Sequence, residues 1–416
     1  MAVGAFLEPL VVVTLLFGGA WFNRNKDYDF WKGSQGWAGN STSHKRRDDI
    51  GIKRGSTDAI IPTSPTLSSG SSSPTLSAND EMPWSLTSRR RKIQFFGYKK
   101  IVTTPNTLVF KDRFLSRVLQ KFPFLAEAWY WALIYWGTVH VARKHALRLI
   151  HLEQRLGVFW EVSFQQWFLE RPTLLHWINR VYSFIHIPGT IFFLVALFYL
   201  TTTRKRRAMT GRVRNDLVSA GPALYEARRR TMAMCNLIAF VVFTLWPCMP
   251  PRLLSDPNYN GPDAEEAKSF GFVDTVHSSA GESSVWTTNK FCNQYAAMPS
   301  LHFGYSLLIG LTVATLPVTG VRPNSWKRIA IAALGLSYPA LIFTAIVATA
   351  NHFILDAVAG AIVCGIAWNA NGLLLNLCIL EDYFLWIVRI HKPVNYTDPE
   401  TAVEPEYHPT LLSEEV

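Results

Sequence analysis

Apolar runs long enough to cross a bilayer, held apart by basic loops, constrain this chain more than any other feature. A spanning helix needs roughly 20 apolar residues, within about 17 to 25. Six runs qualify: 124–141, 181–200, 231–249, 301–317, 329–349 and 352–376. In hydrocarbon the backbone must satisfy its own hydrogen bonds, so such runs predict helices. The expectation is an all-α membrane protein with a six-helix transmembrane core. Pro188 and Gly189 fall inside the second run, where neighbouring helices can accommodate them.

The remaining chain divides around that core. Residues 5–22 are apolar except for Glu8, and the first positive charges, Arg24 and Lys26, come after them. A secretory signal would carry its basic region first, so an uncleaved N-terminal anchor with its start outside is expected. Residues 24–123 are read as a disordered, basic, Ser/Pro-rich cytosolic linker. Its stretch 64–77 has too little apolar surface to order itself. Residues 142–180 mix Arg, Glu, Gln and His with Leu, Phe and Trp, which predicts interfacial amphipathic helices. The domain reading is therefore an anchor at 1–23, a linker at 24–123, a membrane domain at 124–378 and a cytosolic tail at 379–416.

A formal charge of +11 would ordinarily suggest nucleic acid or an anionic surface. Here the cations crowd into loops between apolar runs, as orientation signals do, and no nucleic-acid partner is expected. Residues 201–230 carry Arg204, Lys205, Arg206, Arg207, Arg212, Arg214, Arg228, Arg229 and Arg230, and residues 318–328 carry Arg322, Lys327 and Arg328. Both loops are assigned to the cytosol. Residues 250–300 are poor in cations and are assigned to the lumenal side. The basic stretch 142–155 disagrees with this scheme. The five cysteines form no CxxC pair and no zinc spacing, and most are expected to be packing residues.

That orientation brings distant residues to one membrane face. Arg252 ends the third core run there, His302 opens the fourth, and His352 opens the sixth. His352 and Asp356 are four apart, so on a helix they share a face. A carboxylate accepting from one imidazole nitrogen fixes the tautomer and leaves the other nitrogen free to attack. Pro299 suits the first turn of a helix, and Ser300 lies beside it. Exposed N–H groups at that end favour an anion such as phosphate. His302 can then protonate a leaving oxygen, and Arg252 can hold phosphate oxygens through its planar fork. His140, His145, His151 and His176 are read as interfacial, His277 as a loop residue, and Glu153 and Glu161 as amphipathic-face residues. A metal site built from His302, His352 and Asp356 is the weaker reading, because no HxxxH or HExxH element reinforces it.

At Pro-Pro-Arg-Leu-Leu (250–254), Ala-Ala-Met-Pro-Ser-Leu-His (296–302) and Asn-His-Phe-Ile-Leu-Asp (351–356) the chain resembles the type 2 phosphatidic acid phosphatase superfamily. Residues 152–161, 179–188 and 271–276 look like its inositol phosphorylceramide synthase-like branch. The resemblance covers about residues 125–375. It implies a six-helix core and metal-free, cofactor-free phosphohistidine chemistry on a phospholipid or sphingolipid. His352 would be the nucleophile, Asp356 its orienting partner and His302 the general acid, with Ser300 and Arg252 contacting phosphate. The corresponding location is an endomembrane, Golgi or ER, with the site facing the lumen. The chain departs from the broad family at Leu245 and Ile346, where that family has Lys and Arg, and at Leu253 and Leu301, where it has Pro and Gly. Two expected phosphate-binding cations are thus missing. The segment around Asn179, Tyr182 and His186 is either a substrate or a packing motif. The sequence leaves open whether water or a lipid hydroxyl is the acceptor, and whether the chain is instead a silent lipid-binding scaffold.

Overall fold

The computed structural model describes residues 2–26, 28, 30, 88–95, 98–125, 142–205, 217–255, 263–275 and 295–392. The first expected span lies outside these residues, apart from Phe124 and Leu125. So do the Ser/Pro-rich stretch 64–77, Cys292 and His277.

The described chain is mainly helical. Helix α1 (Ala2–Phe22) is followed by a hairpin of β1 (Ser88–Phe95) and β2 (Tyr98–Pro105), then by α2 (Phe114–Lys121). Three helices cover the region read as interfacial: α3 (Ala142–Leu156), α4 (Glu161–Leu169) and α5 (Pro172–Arg180). Next come α6 (His186–Phe198), α7 (Pro222–Leu245) and the short α8 (Ala264–Ser269). The chain closes with α9 (Leu301–Thr315), α10 (Trp326–Ala348), α11 (Ile354–Ala370) and α12 (Cys378–Ile387).

Among the described residues, three helical runs are long and apolar enough to cross a membrane: His186–Thr203, Trp326–Ala348 and Ile354–Ile387. Helix α9 is apolar but has only 15 residues. Helix α7 has 24 residues, yet its first turns contain Glu226, Arg228, Arg229 and Arg230. These arginines, expected in a loop, lie in the second and third turns of a helix that Pro222 opens from an extended Gly221.

Helix α9 is the axis of the bundle, packed against α6, α7, α10 and α11. Glycine permits its closest crossings. A Cβ at Gly335 of α10 would stand 2.6 Å from the carbonyl oxygen of Gly310 on α9. A Cβ at Gly360 of α11 would collide with the carbonyl oxygen of Ser300. Small residues let helix backbones touch, which is how helices associate where no hydrophobic effect drives them together. Among the described residues, Cys235, Cys248, Cys364 and Cys378 are free and buried, as packing residues should be.

Two expected boundaries change. Residues 88–121 are not linker: β1 and β2 pair antiparallel from Ser88↔Pro105 to Phe95↔Tyr98, and α2 follows. Residues 378–387 are not tail but helix α12. One contact accounts for both. Arg91 donates from Nε and Nη2 to the two oxygens of Asp382 at 2.7 and 2.8 Å, and Thr104 donates to the same carboxylate at 2.6 Å. Neither member of the ion pair is visible as special in the sequence, because Arg91 is one of four consecutive cations and Asp382 one of two adjacent acids in an apolar run.

Candidate active site

The site lies where α9 and α11 begin and where α7 and α10 end. Helix α10 stops in a Schellman turn: the N–H of Ala350 bonds to Val347 O at 3.0 Å, and that of Asn351 to Ile346 O at 3.0 Å. Ala350 takes the left-handed conformation, φ 51°, that glycine usually occupies there. Its carbonyl accepts from the N–H of Arg252 at 2.9 Å, so the turn is braced from outside. His352 follows immediately, and α11 starts two residues later.

His352 is buried and oriented by backbone. Its Nδ1 lies 2.8 Å from the carbonyl oxygen of Ala297, which can only accept. The proton therefore sits on Nδ1, and the lone pair sits on Nε2. Asp356 is 3.5 Å from the same Nδ1. This revises the expected geometry: His352 precedes the helix, so the pair does not share a helical face, and the closer partner is Ala297. The Asp356 carboxylate instead accepts from the N–H of Phe353 at 2.9 Å, within the first turn of its own helix.

His352 Nε2 points to Nδ1 of His302, 3.4 Å away. His302 lies in the first turn of α9, with its ring stacked 5.0 Å from Tyr182 and 4.5 Å from His186, between centroids. The Asn179–His186 segment thus backs the site. Asn179 and Thr275 exchange hydrogen bonds at 3.2 and 3.4 Å, and Tyr182 and His186 lie against His302. A non-α turn at Val181–Ile185 precedes His186; such wide turns inside helices are frequent at functional sites.

Ser300 is the N-cap of α9. Its hydroxyl accepts from Phe303 N–H at 3.3 Å, and its own N–H donates to Asp356 O at 2.9 Å. Pro299 therefore precedes the cap and is not in the first turn. Arg252 is buried, donating from Nε to Asn351 Oδ1 at 2.8 Å, with Nη1 3.5 Å from Asp274. That places its guanidinium beside the residue preceding His352. No local pattern singles out Asn351, a residue that also donates to Thr349 Oγ1 at 2.7 Å.

The structure thus brings together all five expected residues, His352, His302, Asp356, Ser300 and Arg252. The two absent cations are not replaced at their own positions. Ile346 is fully buried among apolar side chains, and Leu245 is exposed.

The family model described as the PAP2 superfamily matches residues 147–214 and 216–370, more than half of the chain. The chain belongs to the PAP2 superfamily. Membership supports a membrane enzyme of the lipid-phosphate phosphatase or phosphotransferase type, acting on lipid phosphates. The matched residues run from α3 to the end of α11 and so contain the whole site. No curated protein and no solved structure matches the chain.

Glu153 and Glu161 depart most from expectation. Both are buried rather than on a solvated face. Glu153 Oε1 accepts from Leu355 N–H at 2.8 Å, and Glu161 Oε1 accepts from Ile354 N–H at 3.1 Å. A charge on a helix with mixed pattern reads as solvated until the segment it caps is known.

Proposed function

We propose that the chain transfers or hydrolyses a phosphate-linked lipid head group through a phosphohistidine on His352. One observation carries the reading: His352 Nδ1 is committed to Ala297 O while Nε2 faces His302 across 3.4 Å. Such an imidazole has a fixed tautomer and an aimed lone pair, as an activated nucleophile requires.

In the first step Nε2 attacks phosphorus and the P–O bond to the leaving alcohol breaks. His302, protonated, gives its proton to the departing oxygen. In the second step an acceptor hydroxyl loses its proton to His302 and attacks the phosphohistidine, returning His352 to its starting form. Arg252 and the N–H groups opening α9 stabilise the phosphoryl oxygens. Asp356 stabilises the positive charge that His352 acquires. Resemblance to the inositol phosphorylceramide synthase-like branch favours a sphingolipid hydroxyl as acceptor, with water as the hydrolytic alternative. The orientation of the basic loops supports a lumen-facing site in an endomembrane.

Purified protein is given lipid phosphates, or phosphatidylinositol with ceramide, in the presence of a chelator. Formation of a new phospholipid only with ceramide, lost in His352→Ala, supports a transferase; release of phosphate lost in the same variant supports a phosphatase. A second reading, a silent lipid-binding protein, is favoured by Ile346 and Leu245, which leave the family's two cation positions apolar. It predicts equal lipid binding and no turnover in the folded wild type and in His352→Ala.

A further inference from the structure

Three consecutive N–H groups open α11, and each is answered by a carboxyl from a different element. Phe353 N–H donates to Asp356 of α11, Ile354 N–H to Glu161 of α4, and Leu355 N–H to Glu153 of α3, at 2.9, 3.1 and 2.8 Å. A helix start normally satisfies such groups with one short capping side chain or with water. Here two long acidic side chains reach in from elements far away in sequence. Glu153 and Glu161 are 0% and 1% exposed. Beyond the other carboxyl of the pair, the second oxygen of each has no hydrogen-bond partner among the described residues. Burying two carboxyls side by side is costly, and capping alone does not require it.

What the pair holds is the backbone directly after His352. The imidazole reaches both Ala297 O and His302 only if residues 353–355 stay in place. On the other side, Arg252 braces the preceding turn through Ala350 O and Asn351. The backbone around His352 is therefore held on both sides, by Arg252 before it and by the two glutamates after it.

We propose that Glu153 and Glu161 are positioning residues for His352: a carboxyl clamp that fixes the first turn of α11 and so holds His352 Nε2 at its distance from His302. The proposal rests on the phosphohistidine reading, since the clamp serves an attack by His352. The titratable groups facing the pair are the two carboxyls themselves, Asp356 on α11 with His352 beyond it, and the Cys248 thiol after α7. Burial first, then the neighbouring Glu161 carboxyl, pushes Glu153 up to about 9. Glu153 is thus a neutral acid at pH 7. Its loss of a proton leaves a charge buried there and loosens the clamp.

The test uses the full-length protein in lipid nanodiscs, with His352→Ala as the reference for lost chemistry. Glu153→Ala and Glu161→Ala should leave KM within a few-fold and lower kcat on the order of 10²-fold, the scale of a displaced reacting group. Glu153→Gln, which keeps the accepting oxygen, should recover most of that loss. Wild-type kcat should also fall above about pH 9, and Glu153→Gln should lack that alkaline limb. This second measurement stands even if an alanine variant fails to fold. Wild-type kcat in the alanine variants, or the same alkaline limb in Glu153→Gln, overturns the clamp and leaves the phosphohistidine reading intact. Wild-type turnover in His352→Ala overturns both.

Discussion

His352 Nε2 and His302 Nδ1 face each other at 3.4 Å, although the two residues are 50 apart in sequence and begin different segments. The distance is set by backbone: Ala297 O fixes one ring, and the contact of Gly360 with Ser300 fixes how closely α11 approaches α9. A phosphoryl group bonded to Nε2 would lie within reach of His302. His302→Ala is expected to lower kcat on the order of 10²- to 10⁴-fold, the usual worth of a general acid–base group. The loss should be smaller for substrates whose leaving group needs no proton, such as a nitrophenyl phosphate. Steady-state kinetics on the two substrate types checks this.

Arg252 makes a different prediction. Its Nε is spent on Asn351, so the guanidinium is held in one plane beside the residue before His352. Lysine is a point charge without that fork. Arg252→Lys should therefore restore little of the activity lost in Arg252→Gln, and Asn351→Ala should weaken turnover although it keeps every charge. Comparison of kcat/KM across the three variants decides it.

Gly360→Ala places a methyl group against Ser300 O. Overpacking of this kind costs typically about 1–3 kcal/mol. A lower thermal unfolding midpoint in nanodiscs, with activity falling alongside, is the expected result. Gly365→Ala on the same helix meets nothing within 4 Å and should be neutral.

The Arg91–Asp382 pair is buried and bidentate. Removing one partner strands a buried charge, which costs about 3–5 kcal/mol. Asp382→Ala should release the β1–β2 hairpin, seen as faster proteolysis within residues 88–105, while leaving turnover at the distant His352 unchanged.

The raised Glu153 titration carries a sign for stability. Its carboxyl binds a proton more tightly in the folded chain than in the unfolded one, moving from 4.5 to about 9. The stabilisation is complete below the unfolded value, declines as pH rises through this window and is gone above the folded value. Unfolding measured between pH 5 and 9 should show stability falling with pH in wild type and a flatter profile in Glu153→Gln.

The candidate site was legible because its residues sit in compact motifs: two histidines at the openings of apolar runs, and an arginine at the end of a third. Loop charge placed them on one face independently of those motifs. What stayed hidden depends on partners far apart in sequence. No local pattern says that Glu153 and Glu161 will cap α11, that Ala297 O will outrank Asp356 as the nearest partner of His352 Nδ1, or that Asp382 will draw a hairpin out of a segment read as linker. Three of the expected apolar runs, 181–200, 329–349 and 352–376, fall in helices long and apolar enough to cross a membrane, but their ends were not legible. Helix α7 takes in Arg228, Arg229 and Arg230, which loop charge had set outside it, and α11 runs on through α12.

The most direct test is to trap the intermediate. Wild-type protein is mixed with lipid substrate labelled in the phosphate, quenched in alkali within a turnover, and mapped by peptide mass spectrometry. The account predicts alkali-stable, acid-labile label on the peptide containing His352, absent in His352→Ala and persisting longer in His302→Ala. Label on another residue, or turnover without label in a protein that still needs His352, would contradict it.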